Sequence, residues 1–183
     1  MTGAVDEIFE LFARFGSGNY GEDISLERHM LQTALMAESL GAPGNIVVAA
    51  LLHDIGHFLH ADSETSIREA RNIEHEALGA TWLSRAFDEN VTAPVALHVQ
   101  AKRYLCAVEP GYFEQLSEAS RLSLVLQGGI MSDAEAAAFT AEPAFEAALI
   151  LRRCDDRGKN VSLRTESVER FRKLLTTTLR TCD

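Results

Sequence analysis

Six residues of this chain have the types and order needed to hold metal ions: His29, His53, Asp54, His75, His98 and Asp155. Imidazole nitrogens and carboxylate oxygens are transition-metal donors, and His/Asp sets converging from several helices are how helical bundles build such centres. His53 and Asp54 are adjacent within Leu51-Leu52-His53-Asp54-Ile55-Gly56-His57. The order H…HD…H…H…D lets two ions share the Asp54 carboxylate. One would take His29, His53, Asp54 and Asp155, and the other Asp54, His75 and His98. The chain has six histidines, and four of them fall into this order in segments with helical periodicity. Four neutral imidazoles and two carboxylates give a donor set of net charge about −2, better suited to iron, manganese or zinc than to the oxygen-seeking calcium or magnesium. Two such ions can activate water for hydrolysis or, if redox-active, bind and reduce dioxygen. Spacing leaves both open.

Around the donors, helical spacing selects further candidates. His53 and His57 are four apart and share a helical face, with Asp54 about 100° around the axis. His57 then supports a ligand or faces substrate. His98 and Lys102 repeat the same spacing, so Lys102 points toward the cavity that His98 lines. A lysine beside two metals is a natural partner for a phosphate-like or carboxylate-like oxygen. Ser120 and Gln127 can add neutral hydrogen bonds from the segment leading into Gly128-Gly129, although spacing alone does not select them.

The elements that must carry these residues read as helices almost throughout. Apolar positions recur at helical spacing over residues 4–15 and are broken by Gly16-Ser17-Gly18-Asn19. A second helix starts near Ser25 and stops at Gly41, and a third opens at Pro43 and runs unbroken to about Leu59 with His53, Asp54 and His57 on it. Residues 60–73 read as a loop with a partial helix over the site. A helix over about 74–88 has His75 in its first turn. Thr92 reads as the N-cap of the helix carrying His98 and Lys102, which Glu109-Pro110-Gly111 stops. A shorter helix spans 114–126, Ser132-Asp133-Ala134-Glu135 has capping-box spacing, and two more helices fit 143–153 and 166–180, with Asp155 just past the end of the first. There is no internal repeat and no convincing strand. The expectation is a single all-α domain over residues 1–183.

Bulk properties narrow the partners. The formal charge of −10 argues against nucleic-acid or anionic-membrane binding, since both reward a basic surface. A small anionic substrate remains compatible, because buried cations can make a positive pocket in an acidic protein. Three scattered cysteines, Cys106, Cys154 and Cys182, suit reduced thiols better than a secreted disulfide framework. The N-terminus lacks a basic region before an apolar stretch, and no run approaches the roughly 20 apolar residues of a membrane helix. These features predict a cytoplasmic protein, a monomer or small homo-oligomer, acting on a small molecule.

Taken together, the segments resemble the HD-domain superfamily, and more narrowly its mixed-valent diiron oxygenases that cleave phosphonates. The resemblance covers nearly the whole chain. His29, the Ala49–His57 run, Glu74-His75-Glu76-Ala77-Leu78-Gly79-Ala80 and the run from His98 to Leu105 carry it, with Leu116–Arg121, Gln127-Gly128-Gly129 and Asp155-Asp156-Arg157-Gly158-Lys159. The HD pair alone is weak, since most of that superfamily hydrolyses phosphate esters; the AKRYL, SEASR and QGG segments are more specific. The resemblance implies an all-α HD bundle and an Fe(II)/Fe(III) pair with O2 as co-substrate. It further implies C–P cleavage of an (R)-1-hydroxy-2-(amino or trimethylammonio)ethylphosphonate, giving phosphate and glycine or glycine betaine. The substrate would chelate the His29/Asp155 iron through its hydroxyl and one phosphonate oxygen, with Lys102, His57, Ser120 and Gln127 holding the phosphonate. At the amine end the chain departs from the family pattern, which places a tyrosine and a glutamate three apart. Here Tyr20 is only two residues before Glu22. Glu22 would meet the substrate cation, and the displaced Tyr20 would cap an iron position or face a methylated ammonium through its ring. The alternative is an HD phosphohydrolase with the same metal set, acting on a nucleotide or phosphate monoester without oxygen.

Overall fold

A computed structural model describes residues 3–19, 23–60 and 74–181. The loop expected over 60–73, apart from His60, lies outside the described residues, as do Tyr20, Glu22 and Cys182. In chain order the helices are α1 (Ala4–Phe15), α2 (Leu26–Ser39), α3 (Gly44–Leu52), α4 (Gly56–Leu59), α5 (His75–Leu83) and α6 (Glu89–Val108). They continue with α7 (Tyr112–Gln115), α8 (Glu118–Leu126), α9 (Asp133–Phe139), α10 (Phe145–Arg157), a 3-10 turn (Val168–Phe171) and α11 (Arg172–Thr178). No strand occurs among the described residues, and no described helix is long and apolar enough to cross a membrane. The described residues form the all-α fold expected.

The segment Gly44-Asn45-Ile46-Val47-Val48-Ala49-Ala50-Leu51-Leu52 explains the architecture. From Ile46 onward every residue is buried, and a helix apolar on all sides must lie at the centre. Helices α2, α6, α10 and α11 pack around α3, α10 also packs on α6 and α2, and α5 lies against α6 and α4. Full burial of Leu51 or Leu52, both 0 % exposed, is worth about 1.5–3 kcal/mol each. The outer helices bury one stripe only: α1 turns Val5, Ile8 and Phe12 inward. Local signals set several ends. Ser25 caps α2 through the Arg28 amide, and Ser132 and Glu135 form the expected capping box on α9.

Several boundaries differ from the sequence reading. The helix expected over 74–88 ends at Leu83, and that over 114–126 is two, Tyr112–Gln115 and Glu118–Leu126, because Ser117 starts a new helix by capping the Ser120 amide. The third helix does not run unbroken to Leu59. It ends at Leu52, and His53-Asp54-Ile55 form a tight turn in which Ile55, His57 and Phe58 amides reach back three residues instead of four, to Leu52, Asp54 and Ile55 carbonyls at 3.1, 3.0 and 2.9 Å. Thr92 is not an N-cap; α6 starts at Glu89 and Pro94 lies inside it. Proline has no N–H for the Asn90 carbonyl, and the Asn45 side-chain amide donates to that carbonyl at 3.0 Å instead. Asp155 sits in the last turn of α10 rather than past it. The C-terminal helix begins as the 3-10 turn and is correspondingly shorter.

The crossing of α4 and α5 is unusually close. A Cβ on Gly56 would lie 2.0 Å from the His75 carbonyl oxygen, nearer than any side chain allows. Immediately before His75, Glu74 takes a left-handed conformation, φ 47°, which costs a non-glycine residue about 1–2 kcal/mol and turns the chain into α5 at this contact. Gly56→Ala is therefore expected to destabilise the fold by at least the ~1–3 kcal/mol typical of overpacking, read as a lower urea midpoint. An unchanged midpoint would show that the two helices do not approach this closely.

Candidate metal centre

The structure gathers all six predicted donors into one buried cluster. His29 comes from α2, His53 and Asp54 from the turn after α3, His75 from the first position of α5, His98 from the middle of α6 and Asp155 from the last turn of α10. In one half, the Nε2 atoms of His29 and His53 are 3.1 Å apart. Asp54 Oδ2 lies 3.6 and 3.4 Å from them, and Asp155 Oδ1 3.2 and 3.9 Å. In the other half, His75 Nε2 and His98 Nε2 are 3.2 Å apart, with Asp54 Oδ1 3.3 and 3.7 Å away. The two oxygens of Asp54 thus face different pairs of imidazoles.

The far side of each ring says why this set fits metal. His29 Nδ1 meets the Gly158 carbonyl at 3.0 Å, His53 Nδ1 the Ala50 carbonyl at 2.9 Å and His98 Nδ1 the Val95 carbonyl at 2.8 Å. A carbonyl only accepts, so each Nδ1 carries the proton and donates it. The neutral ring then has a bare lone pair on Nε2. His75 Nδ1 is 3.3 Å from Glu76 Oε2, a charge contact outside hydrogen-bond geometry. Bare nitrogens facing each other beside carboxylate oxygens repel unless a cation lies among them. Adjacent ligands on one ion with bonds of 2.0–2.1 Å are about 3.0–3.4 Å apart, close to the spacings seen, and His29–His53–Asp54 and Asp54–His75–His98 are each compact enough to hold an ion. The Gly158 carbonyl reaches His29 because that residue lacks a side chain; a Cβ there would be 2.4 Å from Thr33 Oγ1.

Electrostatics keep four of the donors in their metal-binding forms. Burial tends to raise Asp54 and Asp155, but His53 and His75 around the first, and Arg152 and His29 around the second, hold both well below the usual carboxylate range. Burial lowers His53 and His98 and keeps them neutral. For His29 and His75 burial is outweighed by Asp155 and Asp54 respectively, which raise them. On these two rings a proton competes with the metal, so metal uptake releases protons.

The remaining candidates divide. Lys102 is 2 % exposed and donates to Ser123 Oγ at 2.8 Å and to Gln127 Oε1 at 2.5 Å, which joins two predicted residues. Burial, then Arg152, pulls it down to about 7. Ser120 is buried but belongs to a second lysine: Lys159 donates to its hydroxyl at 2.8 Å and to Ser117 Oγ at 3.3 Å. His57 lies flat on His75, centroids 4.2 Å apart and planes 17° from parallel, and burial followed by the charge on His75 pushes it down to about 3. It is a neutral ring supporting a donor.

Sequence reasoning gave no role to Arg152, Tyr112, Asp156, Lys159, Ser117 or Ser123. Arg152 is buried and donates to Asp155 Oδ2 at 2.7 Å, to Asp156 and to the Tyr112 hydroxyl at 3.1 Å. Its spacing to Asp155 and Asp156, three and four residues, is the signal that helical neighbours give. Lys159 was within reach as the end of the Asp155–Lys159 segment. Nothing local marks Tyr112, whose partners are 40 and 44 residues away.

Lys102 yields a pH prediction. Its ordinary value is 10.5 and its folded value about 7, so between these the unfolded chain binds a proton that the folded chain does not. Stability therefore rises with pH from about 7 toward 10, and the full cost of the buried charge persists below 7. Lys102→Met is expected to flatten that rise in urea titrations between pH 7 and about 10. A slope equal to that of the parent would remove Lys102 as its source.

Comparison with known proteins agrees with this geometry. The model of the HD domain matches residues 26–156, which span all six donors. The chain is 42% identical over 168 residues to the hydroxymethylphosphonate dioxygenase of Gimesia maris, covering 91% of this chain and 84% of that protein. It is equally 42% identical to the [1-hydroxy-2-(trimethylamino)ethyl]phosphonate dioxygenase (glycine-betaine-forming) of Leisingera caerulea, covering 91% of this chain and 86% of that protein. The chain belongs to the HD-domain family, in the group that contains these phosphonate dioxygenases.

Proposed function

We propose that the protein is a metal-dependent dioxygenase that cleaves the C–P bond of a 1-hydroxyphosphonate, using two irons, Fe(II)/Fe(III), and O2. His29, His53, Asp54 and Asp155 hold one ion, and Asp54, His75 and His98 the other. The observation that carries this reading is the division of Asp54, with each oxygen within 3.3–3.7 Å of a different pair of imidazole nitrogens. The division supports a two-ion centre, which the hydrolase alternative would share; what favours oxygen chemistry is the similarity to two phosphonate dioxygenases. Both similar dioxygenases are named for substrates with a hydroxyl on the carbon bearing phosphorus.

The overall conversion balances without water: a 1-hydroxyphosphonate and O2 give a carboxylate and phosphate, with the C–H and C–P bonds of one carbon broken. Iron supplies the binding and reduction of dioxygen and a chelating position for the substrate. The chain's own residues bind and orient. Lys102 changes partners from Gln127 and Ser123 to the phosphonate, whose charge restores its proton; Gln127 and Ser120 then take the remaining oxygens. His57, held neutral, keeps His75 in place beside the substrate. Lys159 offers a second cation from the Ser120 side. Tyr20 and Glu22 would meet a substituent such as an amino or trimethylammonio group, and glycine or glycine betaine would be the organic product.

Phosphate release decides the reading. Iron-loaded protein is expected to release phosphate from hydroxymethylphosphonate or from the amino or trimethylammonio 1-hydroxyethylphosphonates only when oxygen is present, and the fastest of the three names the substrate. Turnover of a phosphate ester under argon, with none of the phosphonates cleaved, would establish the hydrolase instead. In the same preparations Asp54→Ala is expected to retain neither iron, measured as metal per chain; two retained irons would refute the shared carboxylate.

A further inference from the structure

We propose that Arg152 is a positioning residue: it holds Asp155 to one oxygen and thereby keeps a coordination position open for the substrate on the ion bound by His29 and His53. This rests on the metal-dependent reading given above. The chain contains two donor carboxylates, and the structure treats them differently. Both oxygens of Asp54 face imidazole nitrogens. Only Oδ1 of Asp155 does, because Oδ2 accepts from Arg152 Nη1 at 2.7 Å.

Arg152 is fixed from every side. It is 3 % exposed; its Nε donates to Tyr112, its Nη2 to Asp156 and its Nη1 to Asp155. The Tyr112 hydroxyl donates in turn to Asp156 Oδ2 at 2.5 Å, closing a triangle that the guanidinium cannot leave. Asp155 and Asp156 both act on the buried charge of Arg152, and the fork holds Asp155 by one oxygen while the other stays turned to the imidazoles. For Asp155 to bring its second oxygen onto the metal it would have to strip a buried charged donor of its partner, an arrangement proteins avoid. With Asp155 held to one bond, His29, His53, Asp54 and Asp155 make four donors. A six-coordinate ion held there would have two positions left, which a hydroxyl and a phosphonate oxygen of one substrate could fill. A fifth protein bond would leave one and forbid that chelate.

The test uses iron-loaded wild type, Arg152→Met and Arg152→Lys under argon, so that no turnover occurs. Three quantities are read: metal per chain, the Kd for hydroxymethylphosphonate by calorimetry, and the infrared carboxylate stretches of 13C-aspartate-labelled protein. Arg152→Met is expected to keep both irons and to bind hydroxymethylphosphonate about tenfold or more weaker. Its antisymmetric and symmetric carboxylate stretches should move closer together, as they do when a carboxylate goes from one-oxygen to two-oxygen coordination. Unchanged affinity with unchanged stretches overturns the proposal, and so does loss of iron, which would make Arg152 part of what builds the centre. If Arg152→Met does not fold, Arg152→Lys, which keeps the buried charge but not the fork, decides by the same readings. Wild type that takes up no metal, or takes it up without binding hydroxymethylphosphonate, would instead defeat the functional reading beneath this one.

Discussion

Two buried imidazole nitrogens that both carry lone pairs do not remain 3.1 Å apart unless positive charge lies against them. That constraint governs the rest of the molecule. It is imposed from behind, by backbone carbonyls at Ala50, Val95 and Gly158 that take the Nδ1 protons, and those carbonyls belong to three different segments. The centre is thus written into the backbone of the bundle as much as into its side chains. The buried all-apolar α3 is what brings those segments together, because only a helix with no polar face can be surrounded by the others.

The charge pattern follows. A protein of net charge −10 places Lys102, Arg152 and Lys159 around one end of its donor cluster, where their fields act on each other and on Asp155. An acidic chain with a locally cationic interior suits a small anion. Burial makes Lys102 costly in the absence of that anion, a strain of the kind that binding sites hold in reserve.

Much of this was legible in the sequence. The convergence of six candidate donors was readable because metal chemistry restricts residue types severely and helical spacing restricts their order, and the all-α class followed from periodicity. What escaped was of three kinds. The break after Leu52 is invisible because His53-Asp54-Ile55 has no helix breaker; the turn tightens through three-residue hydrogen bonds that no propensity marks. Thr92 looked like a cap because Ser/Thr before proline is a common helix start, and the Asn45 side chain that rescues the Pro94 position lies 45 residues from its acceptor. Tyr112 and Lys159 act through contacts about 40 residues away, where one sequence holds no local trace.

The bond from Asn45 to the Asn90 carbonyl has a wider consequence. Eight residues separate Asn45 from His53 and eight separate Asn90 from His98, a rise of about 12 Å on each helix. At the far end of that span the His53 and His98 rings meet edge to face, centroids 5.3 Å apart. Helices α3 and α6 are thus two parallel rails joined by rungs at matching heights, one rung made of an amide and one of two candidate ligand rings. The meeting of the two rings is then a property of matched rail length. Inserting or deleting one residue on a single rail would slide its upper rung by about 1.5 Å and turn it by about 100°, so this stretch of the fold acts as a ruler whose two scales must keep the same number of marks.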